Sequence, residues 1–299
     1  MEEIIFKRPE LEDKELISSY FNKAPSRSCD RTFCNVYLWS RFYKVQYAVI
    51  EDALVFKNEE TGLAYSYPAG DPQCVKNALE FLMKCSEEKG APITLYNVTK
   101  ESFAQLESWY PGEFQIEQVR DNADYVYESE KLATLAGKKL HSKRNHINKF
   151  NTLYPDWSYE PLSDENQEEC FQMALKWREI NGCEADPMKN AEMCVTLNTL
   201  RLYKELGQKG GVLRVGGKIV AFTTGEPVCQ DTFVVHIEKA FSDIEGAYTV
   251  INQQFVQHEC VNYKYVNRED DAGSEGLRKA KLSYKPAFMV EKGIVTRIK

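Results

Sequence analysis

The sequence lacks the features that send a protein to a membrane or across one. No apolar stretch approaches the ~18 residues that cross a bilayer. The opening residues, MEEIIFKRPELEDKE, are acidic, whereas a signal peptide is basic and then apolar. We therefore predict a cytoplasmic protein without a transmembrane segment.

Positive charge is scarce relative to negative charge. The chain has 38 Lys and Arg residues against 45 Asp and Glu residues, which gives a net charge of −7. General adhesion to nucleic acid or to anionic lipid needs clustered Lys and Arg. We predict no DNA partner, and any phosphate-bearing partner must be met by a local basic patch.

The sequence signatures of several common site types are missing. The nine cysteines form no CxxC pair, so we expect reduced and mostly buried thiols. There is no HExxH motif, and His141 and His146 lie five residues apart, the wrong spacing for two ligands on one helical face, so we expect no metal. The absence of GxGxxG, Walker and GxSxG motifs argues against dehydrogenases, kinases and hydrolases.

Length and element order indicate two domains. At 299 residues the chain exceeds the ~100–200 residues usual for one domain. Apolar periodicity predicts an opening helix, an antiparallel meander, and then helix, strand, helix and two strands. We predict an N-terminal domain over 1–130 and a C-terminal domain over 131–299.

The second half repeats this order. A helical region with a basic segment precedes a meander whose hairpin turns at Gly216-Gly217. Helix AYTVINQQFVQHE, strand YKYVN, helix GLRKAKLSY and a final hairpin, FMVEKGIVTRI, follow. The predicted fold class is α+β, with two tandem domains that each have a mostly antiparallel sheet covered by helices.

Several segments resemble a known family. The order of elements matches the Gcn5-related acyltransferase (GNAT) fold. The segments VVHIEKAF, EGAYTVINQQF and YVNREDDAGSEGLRKAKLSYKP, with FCNVYLWSRFY and GKKLHSKRNHINKF, resemble bacterial proteins similar to the C-terminal domain of phosphatidylglycerol lysyltransferase. That family has tandem acyltransferase-like domains related to Fem-like aminoacyltransferases. The resemblance implies an acyl- or aminoacyl-transferring enzyme with its active site in the C-terminal domain.

The strand TFVVHIEKAF carries the candidate catalytic residues. Strand alternation sends His236 and Glu238 to one face. In the acyltransferase fold this strand runs beside the reacting carbonyl, so the resemblance makes Glu238 the candidate proton acceptor, with His236 orienting it or taking its place. A structural His–Glu pair or a salt bridge within the sheet is the alternative.

The corner YVNREDDAGSEG is unusually acidic. Asn267, Glu269, Asp270 and Asp271 follow the strand, just before a helix start. Crowded carboxylates gain by meeting a cation, which predicts binding of an amine substrate. Helix capping, or an internal ion-pair network with Arg268, Arg278 or Lys279, would explain the same residues without a ligand.

Two basic segments are candidates for phosphate binding. Arg278 and Lys281 are spaced to share one helical face and would hold a phosphate or carboxylate group of the substrate. Lys139, Lys143 and Arg144 belong to the strongest local basic patch and would contact phosphates of the donor. The alternatives are a salt-bridged surface for the first set and a solvated helix face for the second.

A helix start follows the catalytic strand. Gly246 precedes it, and free N–H groups at a helix N-terminus can receive a phosphate. Tyr248 and Asn252 lie one turn apart on this helix and would face the substrate, or would simply pack.

Three functions remain open from the sequence. The first is transfer of an activated aminoacyl group, from an aminoacyl-tRNA, to an amine, peptide or lipid-headgroup acceptor. The second is acyl transfer from acyl coenzyme A to an amine, and the third is a non-catalytic module that binds a peptide or a small molecule. No cofactor is certain beyond these two possible donors.

Overall fold

The computed structural model of the protein describes residues 4–58 and 64–299. The elements up to residue 118 are α1 (Lys14–Lys23), α2 (Phe33–Tyr43), β1 (Val45–Ile50), β2 (Ala53–Asn58), β3 (Ala64–Ser66), α3 (Pro72–Glu88), β4 (Thr94–Thr99), α4 (Lys100–Trp109) and β5 (Phe114–Gln118). The later elements are β6 (Asp124–Glu128), α5 (Ser129–Thr134), α6 (His141–Leu153), β7 (Ser158–Pro161), α7 (Gln167–Ile180), α8 (Pro187–Leu206), β8 (Lys209–Val215), β9 (Lys218–Cys229), β10 (Thr232–Ala240), α9 (Ala247–Glu259), β11 (Tyr265–Asn267), α10 (Glu275–Ser283), β12 (Phe288–Val290) and β13 (Lys292–Arg297).

Local sequence signals explain where elements begin and turn. The Asp186 side chain accepts hydrogen bonds from the first free N–H groups of α8, and Pro187 occupies its first position, where no N–H is needed. The hairpin between β8 and β9 turns at Gly216 and Gly217, which both have positive φ. This confirms the predicted two-residue turn, because glycine adopts that conformation without steric cost.

The chain folds as two units that are each discontinuous. The N-terminal unit contains the described residues up to Asp124, with Asp270–Gly273 and Met289–Lys299. The C-terminal unit contains Tyr125–Glu269 and Ser274–Phe288. These boundaries differ from a single division after residue 130, because short segments of the chain cross over in both directions.

Each unit is organised around a mixed, mostly antiparallel sheet, as predicted. Sheet A has the strand order β1-β2-β3-β4-β13-β5, and sheet B has the order β12-β6-β11-β10-β9-β8-β7. The pair β3 and β4 and the pair β10 and β11 are parallel. In sheet A the C-terminal strand β13 is inserted between β4 and β5, and in sheet B the earlier strand β6 is inserted beside β11.

The predicted final hairpin is wrong. Strand β12 joins sheet B, whereas β13 pairs with β4 and β5 in sheet A. Only Glu291 separates the two strands. A tight hairpin needs a two-residue loop, so one residue is too short to fold them against each other.

Both faces of sheet B are covered by helices. On one face Phe222 and Ile237 pack with residues of α7 and α8, among them Cys170 and Leu200. On the other face Ala221 and Ala240 pack with residues of α6 and α9, among them Phe150, Val250 and Ile251. Residues of β10 whose side chains point to the second face therefore lie under α6 and α9.

A buried polar cluster holds β13 in the N-terminal unit. Lys292, which is 2% exposed, places its Nζ atom 2.7 Å from Asp124 Oδ1 and 2.7 Å from Asp30 Oδ2. The Asp124 carboxylate also accepts a hydrogen bond from the Cys29 backbone N–H at 2.9 Å. Burial opposes the charge on Lys292, but the two carboxylates outweigh it and raise the pKa of Lys292 well above its ordinary value.

Candidate functional site

Strands β10 and β11 stop pairing with each other in the middle of sheet B. They pair in parallel for three residues, ending at Val234 and Asn267. Beyond this point β10 continues to Ala240 along β9. The register shift between Val235 and Ile237 makes His236 the extra residue of a β-bulge, a feature common beside active sites. His236 and Glu238 therefore lie where β10 has left its parallel neighbour.

Glu238 is held by two side chains from different elements. Arg268, just after β11, donates from Nη2 to Glu238 Oε1 at 2.8 Å. Asn252, on α9, donates from Nδ2 to Glu238 Oε2 at 2.9 Å. The side chains of Glu238 and Arg268 are each 12% exposed, and Asn252 is 1% exposed. The carboxylate is thus nearly buried and has both oxygens engaged.

Two buried polar atoms around Glu238 have no hydrogen-bond partner. They are the Oδ1 atom of Asn252 and the Nη1 atom of Arg268. Buried polar groups are paired in the great majority of cases, so each such exception needs an explanation. One acceptor and one donor are thus unmet on either side of the same carboxylate, and a ligand or a bound water would satisfy them.

Aromatic rings and an amine line the same place. The guanidinium carbon of Arg268 lies 4.8 Å from the ring centre of Tyr284, and Lys143 Nζ lies 4.0 Å from that ring centre. Tyr127 donates its hydroxyl to the backbone oxygen of Lys281 at 2.8 Å. Burial, with the neighbouring Arg268 charge, lowers the pKa of Lys143, although Glu238 partly opposes this. Lys143 therefore gives up a proton more readily than an ordinary lysine.

His236 is clamped between two carboxylates. Its Nδ1 atom is 2.7 Å from Glu269 Oε1, and its Nε2 atom is 3.1 Å from Glu226 Oε1. Burial disfavours the charged ring, but the hydrogen bonds to Glu226 and Glu269 outweigh burial and raise the pKa of His236 to about 10. At neutral pH the ring is an imidazolium without a free lone pair, which suits orientation of the strand and not proton acceptance.

This clamp predicts a pH-dependent stability. The pKa of His236 is about 10 in the folded chain and 6.5 as its ordinary value, so the stabilisation is complete below about pH 6.5 and is lost as the pH rises toward 10. The imidazole NMR signals of His236 should titrate near pH 10. His236→Gln should flatten the dependence of the urea midpoint on pH over this range. Titration near pH 6.5 would contradict the clamp.

The acidic corner finds partners within the chain. Asn267 is fully buried and accepts the Glu269 N–H at 2.7 Å, which supports the left-handed backbone of Glu269 at φ 57°. The buried Asp271 carboxylate accepts the Gly273 N–H at 3.1 Å and lies 3.4 Å from Arg120 Nη1. Asp270 accepts the N–H of the residue two positions on, at 3.0 Å. The structure thus supplies internal partners for all three carboxylates.

The residues of the basic segment point to different surroundings. Lys139 is exposed, whereas Lys143 turns inward to Tyr284. Arg144 donates to the backbone carbonyls of Leu135 and, at 2.8 Å, Gly137, at the end of α5. The three cations that the sequence analysis assigned to one basic patch therefore have separate surroundings.

The remaining predicted residues lie on α9 and α10. Tyr248 is 37% exposed on the first turn of α9, one turn before Asn252. Lys281 donates to the Arg268 backbone oxygen at 2.6 Å. Arg278 lines a shallow groove of about 520 Å³ along α10, together with Glu275, Lys279, Leu282, Ser283 and Lys285.

The sequence analysis selected Asn252 but missed the second partner of Glu238, Arg268, and the aromatic residues near it. Arg268 was assigned only to the acidic corner that adjoins it in the chain, and the aromatic residues Tyr127 and Tyr284 were not selected as site residues. The alternating aromatic residues of DYVYES were the available signal for Tyr127.

The fold defines the class of protein. Sheet B, with its parallel strands that separate beside a bulge and its helices on both faces, has the Gcn5-related acyltransferase fold. An acetyltransferase of the GNAT family from Colwellia psychrerythraea aligns over 99% of this chain and 100% of that one, with a TM-score of 0.51 at 9% identity. The chain belongs to the family described as phosphatidylglycerol lysyltransferase, C-terminal, whose sequence profile matches residues 21–295. The predicted resemblance is confirmed.

The chain is also similar to three further proteins. A conserved protein of unknown function from Bacteroides thetaiotaomicron is 39% identical, with a TM-score of 0.90 over 99% of this chain and 100% of that chain. The C-terminal domain of a putative lysylphosphatidylglycerol synthetase from Agrobacterium fabrum is 13% identical, with a TM-score of 0.66 over 97% of this chain and 93% of that chain. An uncharacterized protein of Mycoplasmoides gallisepticum is 28% identical over 197 residues, which are 62% of this chain and 60% of that protein.

Family membership supports a function of the acyltransferase type. Among the residues that the structure describes, no helix combines the length and the apolar character that a membrane span requires.

Proposed function

We propose that the chain transfers an activated aminoacyl group, carried as an ester on tRNA, to an amine or hydroxyl acceptor. The observation that carries the proposal is the nearly buried Glu238 carboxylate, held by Arg268 and Asn252, with one donor and one acceptor unmet beside it. Peptides, small amines and lipid headgroups all supply an acceptor of the required chemistry.

The residues around Glu238 divide the chemistry between them. The acceptor nitrogen or oxygen attacks the ester carbonyl carbon while Glu238 accepts its proton. Arg268 Nη1 donates to the carbonyl oxygen as negative charge develops there. The bond between the carbonyl carbon and the donor oxygen then breaks, and the Lys143 ammonium, whose pKa is lowered, gives a proton to the leaving oxygen. His236 holds the bulge of β10 in place.

A direct test uses a panel of aminoacyl-tRNAs with candidate acceptors and mass-spectrometric detection of the product. Transfer that requires Glu238 supports the proposal. Inertness across the full panel, combined with tight capture of an amine ligand, would instead favour a binding module.

The packing at the start of α9 gives less support to a coenzyme A donor than to an aminoacyl-tRNA donor. A Cβ atom at Gly246 would lie 2.8 Å from the His146 carbonyl oxygen, because α6 packs closely on this helix start. That carbonyl oxygen disfavours a phosphate at the same place. Saturable binding of coenzyme A in a calorimetric titration would overturn this preference.

The groove along α10 predicts where the donor phosphates bind. It brings together Arg278, Lys279 and Lys285 with the apolar side chain of Leu282, in a chain of net charge −7. Lys279→Gln should weaken tRNA binding to a similar extent for every aminoacyl group, and should reduce the slope of log affinity against log salt by about 1.

Lys139→Gln is the matched control for this prediction, because Lys139 is an exposed lysine just before α6 and lies outside the groove. We expect its affinity and salt slope to match those of the unaltered chain. The reverse pattern, with an effect only for Lys139→Gln, would place the donor phosphates on the basic segment.

A further inference from the structure

The amide orientation of Asn252 is fixed by its partner. Its Nδ2 atom donates to Glu238 Oε2 at 2.9 Å, and a carboxylate oxygen can only accept. The unpartnered atom is therefore the carbonyl oxygen Oδ1. Because Asn252 is 1% exposed, what the site lacks at this point is a hydrogen-bond donor from a ligand or a bound water.

The requirement at Arg268 is the opposite. Its Nη2 atom is committed to Glu238 Oε1, and its Nη1 atom lacks an acceptor. The two unmet atoms belong to the two side chains that donate hydrogen bonds to the Glu238 carboxylate, one to each oxygen. The two unmet atoms thus call for a ligand that supplies a donor to Asn252 Oδ1 and an acceptor to Arg268 Nη1.

An acyl group alone satisfies only half of this requirement, since its carbonyl oxygen accepts but nothing in it donates. We infer that Asn252 is a specificity-determining residue that selects acyl groups bearing a free α-amino group, an inference that rests on the proposed function. The α-amino group donates to Asn252 Oδ1, and the adjacent carbonyl oxygen accepts from Arg268 Nη1. The negative charge of Glu238 favours the amine in its ammonium form.

The expected preference for a free α-amino group can be judged from the effect of blocking that group by N-acetylation. An N-acetylated aminoacyl group keeps the carbonyl, loses the ammonium charge and brings a bulky group to a nearly closed site. It leaves Asn252 Oδ1 buried without its donor. Sites built around such hydrogen bonds discriminate strongly, so we expect N-acetylation to lower affinity at least about tenfold.

The experiment measures binding first, so that it stands independently of turnover. Amino acid amides and their N-acetylated counterparts are titrated calorimetrically into the unaltered chain, into Asn252→Leu and into Gln254→Leu. Gln254 lies on the same helix and its amide bonds to Gln257, so Gln254→Leu is a matched loss of an amide. The unaltered chain and the control should prefer the free amine, and Asn252→Leu should lose that preference.

Transfer provides the second readout. Asn252→Leu also removes a hydrogen bond to Glu238, so it should slow transfer from free and from N-acetylated aminoacyl-tRNA by the same factor. The ratio of the two kcat/KM values changes only if Asn252 recognises the α-amino group. Equal binding of free and blocked amides by the unaltered chain, or no binding of either, overturns the inference even if Asn252→Leu fails to fold. Discrimination in binding without any transfer would leave the inference intact and sink the proposed function.

Discussion

Glu238→Gln should lower the rate of aminoacyl transfer by about 10²–10⁴-fold, the usual contribution of a general base. The amide keeps the shape of the carboxylate but accepts no proton from the attacking group. The measurement is a single-turnover rate with saturating donor, made well below the melting temperature, because the substitution leaves the buried Arg268 guanidinium without its countercharge.

Glu169→Gln is the control for this substitution. Glu169 also pairs with an arginine, with its carboxylate 2.7 Å from Arg214, but its side chain is 53% exposed. Its loss should leave transfer unchanged. An unaltered rate for Glu238→Gln would remove Glu238 from the mechanism and make its pairing with Arg268 purely structural.

Lys292→Met should destabilise the protein by about 3–5 kcal/mol, the usual effect of removing one partner of a buried ion pair. The substitution removes the cation that pairs with the fully buried Asp124 carboxylate and with Asp30. Urea denaturation followed by circular dichroism measures the loss as a lower midpoint. Transfer chemistry plays no part in this prediction.

A double-mutant cycle separates the ion pair from packing. Adding Asp124→Asn to Lys292→Met removes the uncompensated charge and should restore part of the stability. Strictly additive losses would mean that Lys292 and Asp124 do not interact energetically, whatever their separation. Asp13→Asn, which affects the pair with the 59% exposed Lys7, should cost much less.

The elements of the fold were predictable where local chemistry decides them. The apolar spacing of Val75, Leu79 and Leu82 predicts α3, and Gly216-Gly217 predicts the β8–β9 turn. The destinations of β6 and β13 were not predictable in this way. The local sequence of each predicts an ordinary strand. Which sheet the strand joins depends on contacts with residues far away in the chain, and no local pattern indicates those contacts.

Individual residues of the candidate site were selected from the sequence, but their arrangement was not predictable. Glu238 and Asn252 were both selected, yet for separate reasons, and nothing in their spacing shows that they touch. Arg268 adjoins three carboxylates in sequence, and proximity along the chain suggested the wrong partner for it. The bulge at His236 could not be predicted from the sequence either, because an extra residue in one strand is recognised only by comparison with the neighbouring strand.

The insertion of β13 between β4 and β5 affects how the protein is made. Sheet A contains a gap until Lys292–Arg297 arrives, so the N-terminal unit cannot complete its sheet when its own first strands leave the ribosome. Synthesis at ~5–20 residues per second leaves a delay of roughly ten to thirty-five seconds between β5 and β13. During that interval the edges of β4 and β5 that β13 later covers are unpaired, and such edges are templates for pairing with other chains.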